Sequence, residues 1–183
     1  MKEINGKILK GPDIYLREMT DADTELIVKW RNSEFVRSRF IYRKPFTEEG
    51  HRYWIETMVK TGKAVQFIIC TKEGEPIGSV YLRDIDREHR KAEYGIFIGE
   101  EHALGRGYGT QAAKLMLSYA FSELSLHKVM LRLLADNQRA ARSYEKAGFV
   151  KEAYLKEDVY LDGEYKDVIL MACFAPIGDE NKS

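Results

Sequence analysis

The stretch AEYGIFIGEEHALGRGYGTQ, residues 92–111, decides how this chain is read. It has the pattern of a strand, a short turn, a glycine-spaced loop and the opening of a helix. Gly105, Gly107 and Gly109 alternate with Arg106 and Tyr108, and Thr110 leads into an Ala/Leu/Met-rich run. The first N–H groups of a helix lack intrahelical partners and sit at the positive end of its dipole. Glycines without side chains let a phosphate approach those amides, so the loop has the makings of an anion cradle.

Downstream, Ala112, Leu115, Met116, Tyr119 and Ala120 recur at helical spacing and read as a core-facing stripe. Residues 129–135 (VMLRLLA) form a buried-looking strand, and Asp136-Asn137 starts a short helix over 140–146 that Ala147-Gly148 ends. Residues 149–156 and 164–174, divided by the turn 161–164 (LDGE), read as a final hairpin. Upstream, 13–18 alternates as a strand. Thr20, Asp21 and Asp23 then open a helix carrying Leu26, Ile27 and Trp30, which ends near Arg31-Asn32. A basic, aromatic connection (FVRSRFIYRKP, 35–45) leads to Thr47, the cap of a second helix with Trp54, Ile55 and Met58. Strands 64–71 and 77–82 flank a Glu-Gly turn, and a charged connection, 83–91, precedes strand 93–98. There is no internal repeat or linker, so one α+β domain spans 1–175, followed by a polar tail, 176–183.

Composition narrows the function classes. Of the 183 residues, 29 are Lys or Arg and 29 are Asp or Glu, which argues against a broad nucleic-acid or membrane-binding surface. Cys70 and Cys173 lie in apolar runs without metal-ligand neighbours. They read as free thiols of a reducing cytoplasm, and no metal is expected. Nowhere do about eighteen apolar residues run together, so neither secretion nor membrane spanning is expected. The loop is not G-x-x-x-x-G-K-[ST], and it lacks the third glycine and acidic ribose partner of a dinucleotide fold.

The element order β-α-α-β-β-β-α-β-α-β-β, together with AEYGIFIGEE, LGRGYGTQAAKL and LLADNQRAARSYEKAGF, resembles the GNAT superfamily of acyl-CoA-dependent N-acetyltransferases, in its ribosomal-protein and spermidine acetyltransferase branch. The likeness covers about residues 13–174. It implies a mixed sheet of about seven strands with about four helices. The fourth strand, 93–98, would be bulged and would splay from the fifth to open a slot for the pantetheine of acetyl-CoA. Phe97 and Ile98 would border that slot through their backbones, one N–H serving the oxyanion. The pyrophosphate would sit on Leu104, Gly105, Arg106, Gly107, Tyr108, Gly109 and Thr110. Leu104 departs from the family's usual Gln or Arg, and Arg106 is the substitute charge at hand.

By the same resemblance Asn137 and Ser143 contact the cofactor, and Tyr144 protonates the departing thiolate. A phenol of pKa about 10 is suited to that task at neutral pH. Asn137 reads equally well as a helix cap. Glu93 is the candidate general base, since an alkyl amine is mostly protonated at pH 7. Arg31, Asn32 and His51 are the candidate acceptor contacts. Trp30-Arg31-Asn32 followed by His51 and Trp54 is similar to aminosugar-nucleotide N-acetyltransferases of the superfamily, and a guanidinium there suits a phosphate. The expected substrate is therefore a small-molecule amine, either an aminosugar, free or nucleotide-linked, or a polyamine for which Asp84, Asp86 and Glu93 would form the acidic pocket. A protein N-terminus and a non-catalytic acyl-CoA sensor are the alternatives. The resemblance also implies a homodimer.

Overall fold

The computed structural model describes residues 6–176. Eight strands make one sheet: β1 (Ile8–Lys10), β2 (Ile14–Glu18), β3 (Val65–Thr71), β4 (Pro76–Asp86), β5 (Lys91–Ile98), β6 (Lys128–Leu134), β7 (Val150–Leu161) and β8 (Glu164–Phe174). Their spatial order is β1-β2-β3-β4-β5-β6-β8-β7. The α-helices among these residues are α1 (Thr24–Asn32), α2 (Glu34–Arg37), α3 (Glu48–Trp54), α4 (Tyr108–Ser122) and α5 (Gln138–Ala147), with a π-helical turn over Ile55–Val59 extending α3 and single 3-10 turns at Asp21–Asp23 and Glu101–Ala103.

β3 is buried on both faces, which accounts for its unbroken apolar sequence VQFIICT. Because successive strand side chains alternate, Phe67 and Ile69 enter the core beneath α4, while Ile68 and Cys70 enter a second core with Ile27 and Trp30 of α1. α1 is anchored to the sheet by Asp23 just before it. Its carboxylate accepts from the two terminal nitrogens of the Arg17 guanidinium at 2.9 and 2.7 Å and from the Thr20 amide at 2.8 Å. Burial opposes that charge, but the Arg17 and Thr20 bonds outweigh it and hold the carboxyl below its ordinary range.

Every adjacent pair is antiparallel except β5 and β6. Their parallel pairing covers only Lys91↔Lys128, Ala92↔Val129 and Glu93↔Met130. Among the described residues, the β6-facing edge of β5 has no strand partner from Tyr94 to Ile98. This is the expected splay, made by the strands counted as fourth and fifth from the sequence.

Three features differ from the sequence reading. The sheet has eight strands, because the three residues of β1 pair with β2 although so short a segment shows no period of its own. There is a fifth helix, the single turn α2, inside the basic connection. The register shift beside the slot lies on β4, between Arg83 and Asp86, where Asp84 takes φ 51°; β5 runs regularly from Glu93 to Ile98. Of the tail, residues 177–183 lie outside the described residues, as do residues 1–5.

Candidate active site at the β5–β6 splay

β5 decides what the slot offers. Gly99 N donates to Ile77 O at 2.7 Å, so the odd-numbered residues of β5 exchange hydrogen bonds with β4, and the amides of Tyr94, Ile96 and Ile98 point to the unpaired side. Of the expected pair, Ile98 therefore turns its N–H to the opening, while the Phe97 amide belongs to its partner Ser79.

The glycine loop lies beyond the end of β5. Gly105 and Gly107 take φ 80° and 78°, and Gly107 is the residue that caps α4. Both φ values fall in the left-handed region where an L side chain is strained. Gly105, Arg106 and Gly107 are exposed, Leu104 and Tyr108 half-buried, and no acidic residue occupies the first turn of α4. Thr110 and Ser143 share a hydrogen bond at 2.8 Å, which joins the start of α4 to α5, and Ser143 also stands next to Gly109. Asn137 caps α5, its side-chain oxygen accepting from Ala140 N at 3.2 Å; its amide nitrogen is not used in that cap. Arg139, which sequence reasoning passed over, lays its guanidinium against Gly105.

Tyr144 projects from α5 into the aromatic group that floors the slot. Its ring meets Tyr94 edge-on at 6.0 Å and Phe149 at 5.8 Å. Burial, with Tyr81 nearby, raises the hydroxyl above its ordinary pKa, so Tyr144 keeps its proton through the neutral range. Tyr94 is only 3% exposed, and its hydroxyl is buried without a hydrogen-bond partner among the described residues.

The opposite face of β5 carries Glu93, Gly95 and Phe97. Glu93 accepts from Arg83 at 2.7 Å, and the Arg83 Nε lies 3.7 Å from Asp84. Tyr81 of β4 pairs with Gly95, and its ring tip covers the position that a Gly95 side chain would take. The missing β-carbon is the only signal for Tyr81 in the sequence, and it acquires meaning only once the register is known.

Arg31 lies on this face too. Its guanidinium stacks 3.5 Å above the Phe40 ring, with Phe46 at 5.2 Å and Phe97 at 5.9 Å. One terminal nitrogen is buried with no partner, and Arg31 forms no ion pair among the described residues. Desolvation pulls its pKa down, and Arg83 acts in the same direction. Asn32 is engaged otherwise. Its amide clasps the Phe46 backbone, donating at 2.7 Å and accepting at 2.9 Å, and so fixes the connection that carries Phe40 and Phe46. His51 is 1% exposed, bonded to Thr24 through Nδ1 at 3.0 Å and tilted against Phe46 at 5.8 Å, with Nε2 unpartnered. Burial lowers its pKa and keeps it neutral. The two residues thus support the Arg31 enclosure from behind.

No group of three or more potential metal-ligating side chains occurs among the described residues, and no helix there is long and apolar enough to cross a membrane.

Comparison with known proteins adds to this geometry. The acetyltransferase (GNAT) domain family matches residues 13–150. The spermidine N(1)-acetyltransferase of Escherichia coli (strain K12) is 30% identical over 160 residues, 80% of this chain and 86% of that protein. The crystal structure of spermidine N-acetyltransferase from Vibrio cholerae in complex with CoA and spermine superposes with a TM-score of 0.82 at 27% identity, covering 88% of this chain and 95% of that one. A dodecameric structure of the Vibrio cholerae enzyme gives 0.75 at 26% identity, covering 88% and 94%. With the family matched over three quarters of its length and the slot where that fold opens its sheet, the chain belongs to the GNAT family as an acetyl-CoA-dependent N-acetyltransferase.

Proposed function

We propose that the acceptor is a primary amine carried on an anionic molecule, a nucleotide-linked aminosugar, and that Arg31 binds its anionic group. The observation behind this is the Arg31 guanidinium, which has no ion-pair partner among the described residues and is sunk among three aromatic rings on the face of β5 proposed for the acceptor. Buried charges are ordinarily paired, and an arginine fork matches phosphate oxygens in two directions. A polyamine would need carboxylates whose charge is not compensated, and the three expected to form its pocket are held: one oxygen of Glu93 by Arg83, Asp84 beside the same guanidinium, Asp86 by the His89 amide. Polyamine acetylation is the second reading, favoured by the spermidine N-acetyltransferases among the relatives.

In this reading the CoA pyrophosphate rests on the amides of 105–110 beside Thr110 and Ser143, and the pantetheine runs along the open edge of β5 with Asn137 addressing its amides. The acceptor nitrogen attacks the acetyl carbon, and Ile98 N–H faces the oxygen that gains charge. The C–S bond then breaks, Tyr144 gives its proton to the sulfur and recovers one from solvent, and Glu93 takes the proton lost by nitrogen on Oε2, the oxygen that Arg83 does not hold. The test is release of CoA thiol, with mass spectrometry of the product, for a panel of a UDP-linked aminosugar, spermidine and a peptide amine. Preferred acetylation of the UDP-aminosugar is expected; preference for spermidine or the peptide overturns the acceptor reading. Self-association is measured by light scattering, where a single mass near 21.2 kDa would exclude the expected dimer.

A further inference from the structure

Tyr81 stands apart from every residue assigned so far. It extends from β4 on the face that carries Arg31, and its ring crosses the backbone of Gly95, its register partner. Any β-carbon at Gly95 would collide with Cζ and Oη of that ring, so the absent side chain is what admits the phenol to the site. Gly95 lies in the part of β5 that has left β6, two residues before Phe97, whose ring borders the Arg31 enclosure. Trp54 holds the Tyr81 ring edge-on at 6.3 Å, and Trp54 is itself fixed by its Nε1 donating to Gln66 at 3.0 Å. Tyr144 approaches from the other face with Tyr94, so the two phenols reach the open stretch of β5 from opposite sides of the sheet.

Resting on the acceptor reading above, we infer that Tyr81 is the acceptor-side hydroxyl of the reaction: its Oη accepts a hydrogen bond from the attacking amine and holds the nitrogen lone pair toward the thioester carbonyl. Burial raises the Tyr81 hydroxyl above its ordinary pKa, with Arg31 and Arg83 acting in the opposite sense, so it remains a neutral phenol during turnover. No proton is transferred to it. Its contribution is orientation, which converts a loosely held amine into one already aligned for attack.

The experiment compares Tyr81→Phe and Gly95→Ala with wild type, using acetyl-CoA and the three amines named above. Tyr81→Phe removes one oxygen and keeps the ring, so its melting temperature should match wild type. Its kcat should fall about tenfold to a hundredfold with KM for acetyl-CoA unchanged. Gly95→Ala displaces the ring tip and should lose kcat to a similar extent. A kcat within about twofold of wild type in Tyr81→Phe overturns the inference while leaving the acceptor reading intact. A raised KM for acetyl-CoA with unchanged kcat overturns it as well, by placing Tyr81 on the donor. Failure of wild type to acetylate any of the three amines removes the acceptor reading and this inference with it.

Discussion

Replacing Arg31 by Met should make the protein more stable and less active. Among the described residues one Arg31 guanidinium nitrogen is buried with no hydrogen-bond partner. An unsatisfied buried donor costs about 1–3 kcal/mol, and the stacking of the cation on Phe40 returns about 0.5–2 kcal/mol. Met keeps the apolar contact with Phe40, Phe46 and Phe97, adds sulfur–aromatic attraction of about 0.3–1.5 kcal/mol, and has no donor to leave unsatisfied. Part of the Arg31 side chain still reaches solvent, so the low end applies, and the net gain is about 1 kcal/mol. For a chain of this size that corresponds to a melting temperature about 2–4 °C higher. The same substitution removes charge-assisted bonds of about 1.5–3 kcal/mol to the anionic group, and kcat/KM for the acceptor should drop about tenfold to a hundredfold. Thermal unfolding without ligand and initial rates of thiol release read the two effects separately. A lower melting temperature together with an unaltered acceptor KM would refute the reasoning, since Arg31 would then be a structural cation whose counter-charge lies elsewhere.

Tyr144→Phe should lower kcat far more than acetyl-CoA affinity, measured by steady-state rates against calorimetric binding; an unchanged kcat removes the general-acid role. Gly107→Ala forces a side chain onto φ 78°, at a cost of about 1–2 kcal/mol, and should weaken CoA binding with little effect on acceptor KM. Titration of the phenols sets an alkaline limit. Burial raises Tyr94 and Tyr144 above the ordinary value of about 10, so their stabilising contribution is complete below that pH and is lost as pH climbs beyond it. Urea unfolding should therefore show a loss of stability that sets in at about pH 10 and grows as pH rises further, and that Tyr94→Phe diminishes; an identical profile in that variant would count against it.

Local chemistry made much of the chain legible. The glycines at 105 and 107 need positive φ, and that requirement is written into the residue type itself. The caps at Thr47 and Asn137 and the αL glycine ending α5 are equally local, so helix boundaries followed from a few residues each. The unbroken apolar run of β3 pointed to a strand covered on both sides, and two cores cover it. By contrast, β1 and α2 are three and four residues long, too short for any period to show, and only pairing or packing with distant residues reveals them.

From the sequence alone came the order of elements, the glycine loop that opens α4 and the place of Tyr144 on α5, because each is encoded within a few adjacent residues. Tertiary structure decided the rest of the site. Which face Tyr81 and Gly95 share depends on the β4–β5 register. That the Ile98 amide, and not that of Phe97, faces the slot depends on the hydrogen-bond alternation in that same pair. Whether Arg31 is a solvated surface charge or a half-buried cation enclosed by aromatic rings depends on Phe40 and Phe46 folding over it while Asn32 holds the connecting loop. Desolvation and pairing are properties of neighbours far apart in the chain, and a side chain's charge acquires its chemical meaning only when those neighbours are in place.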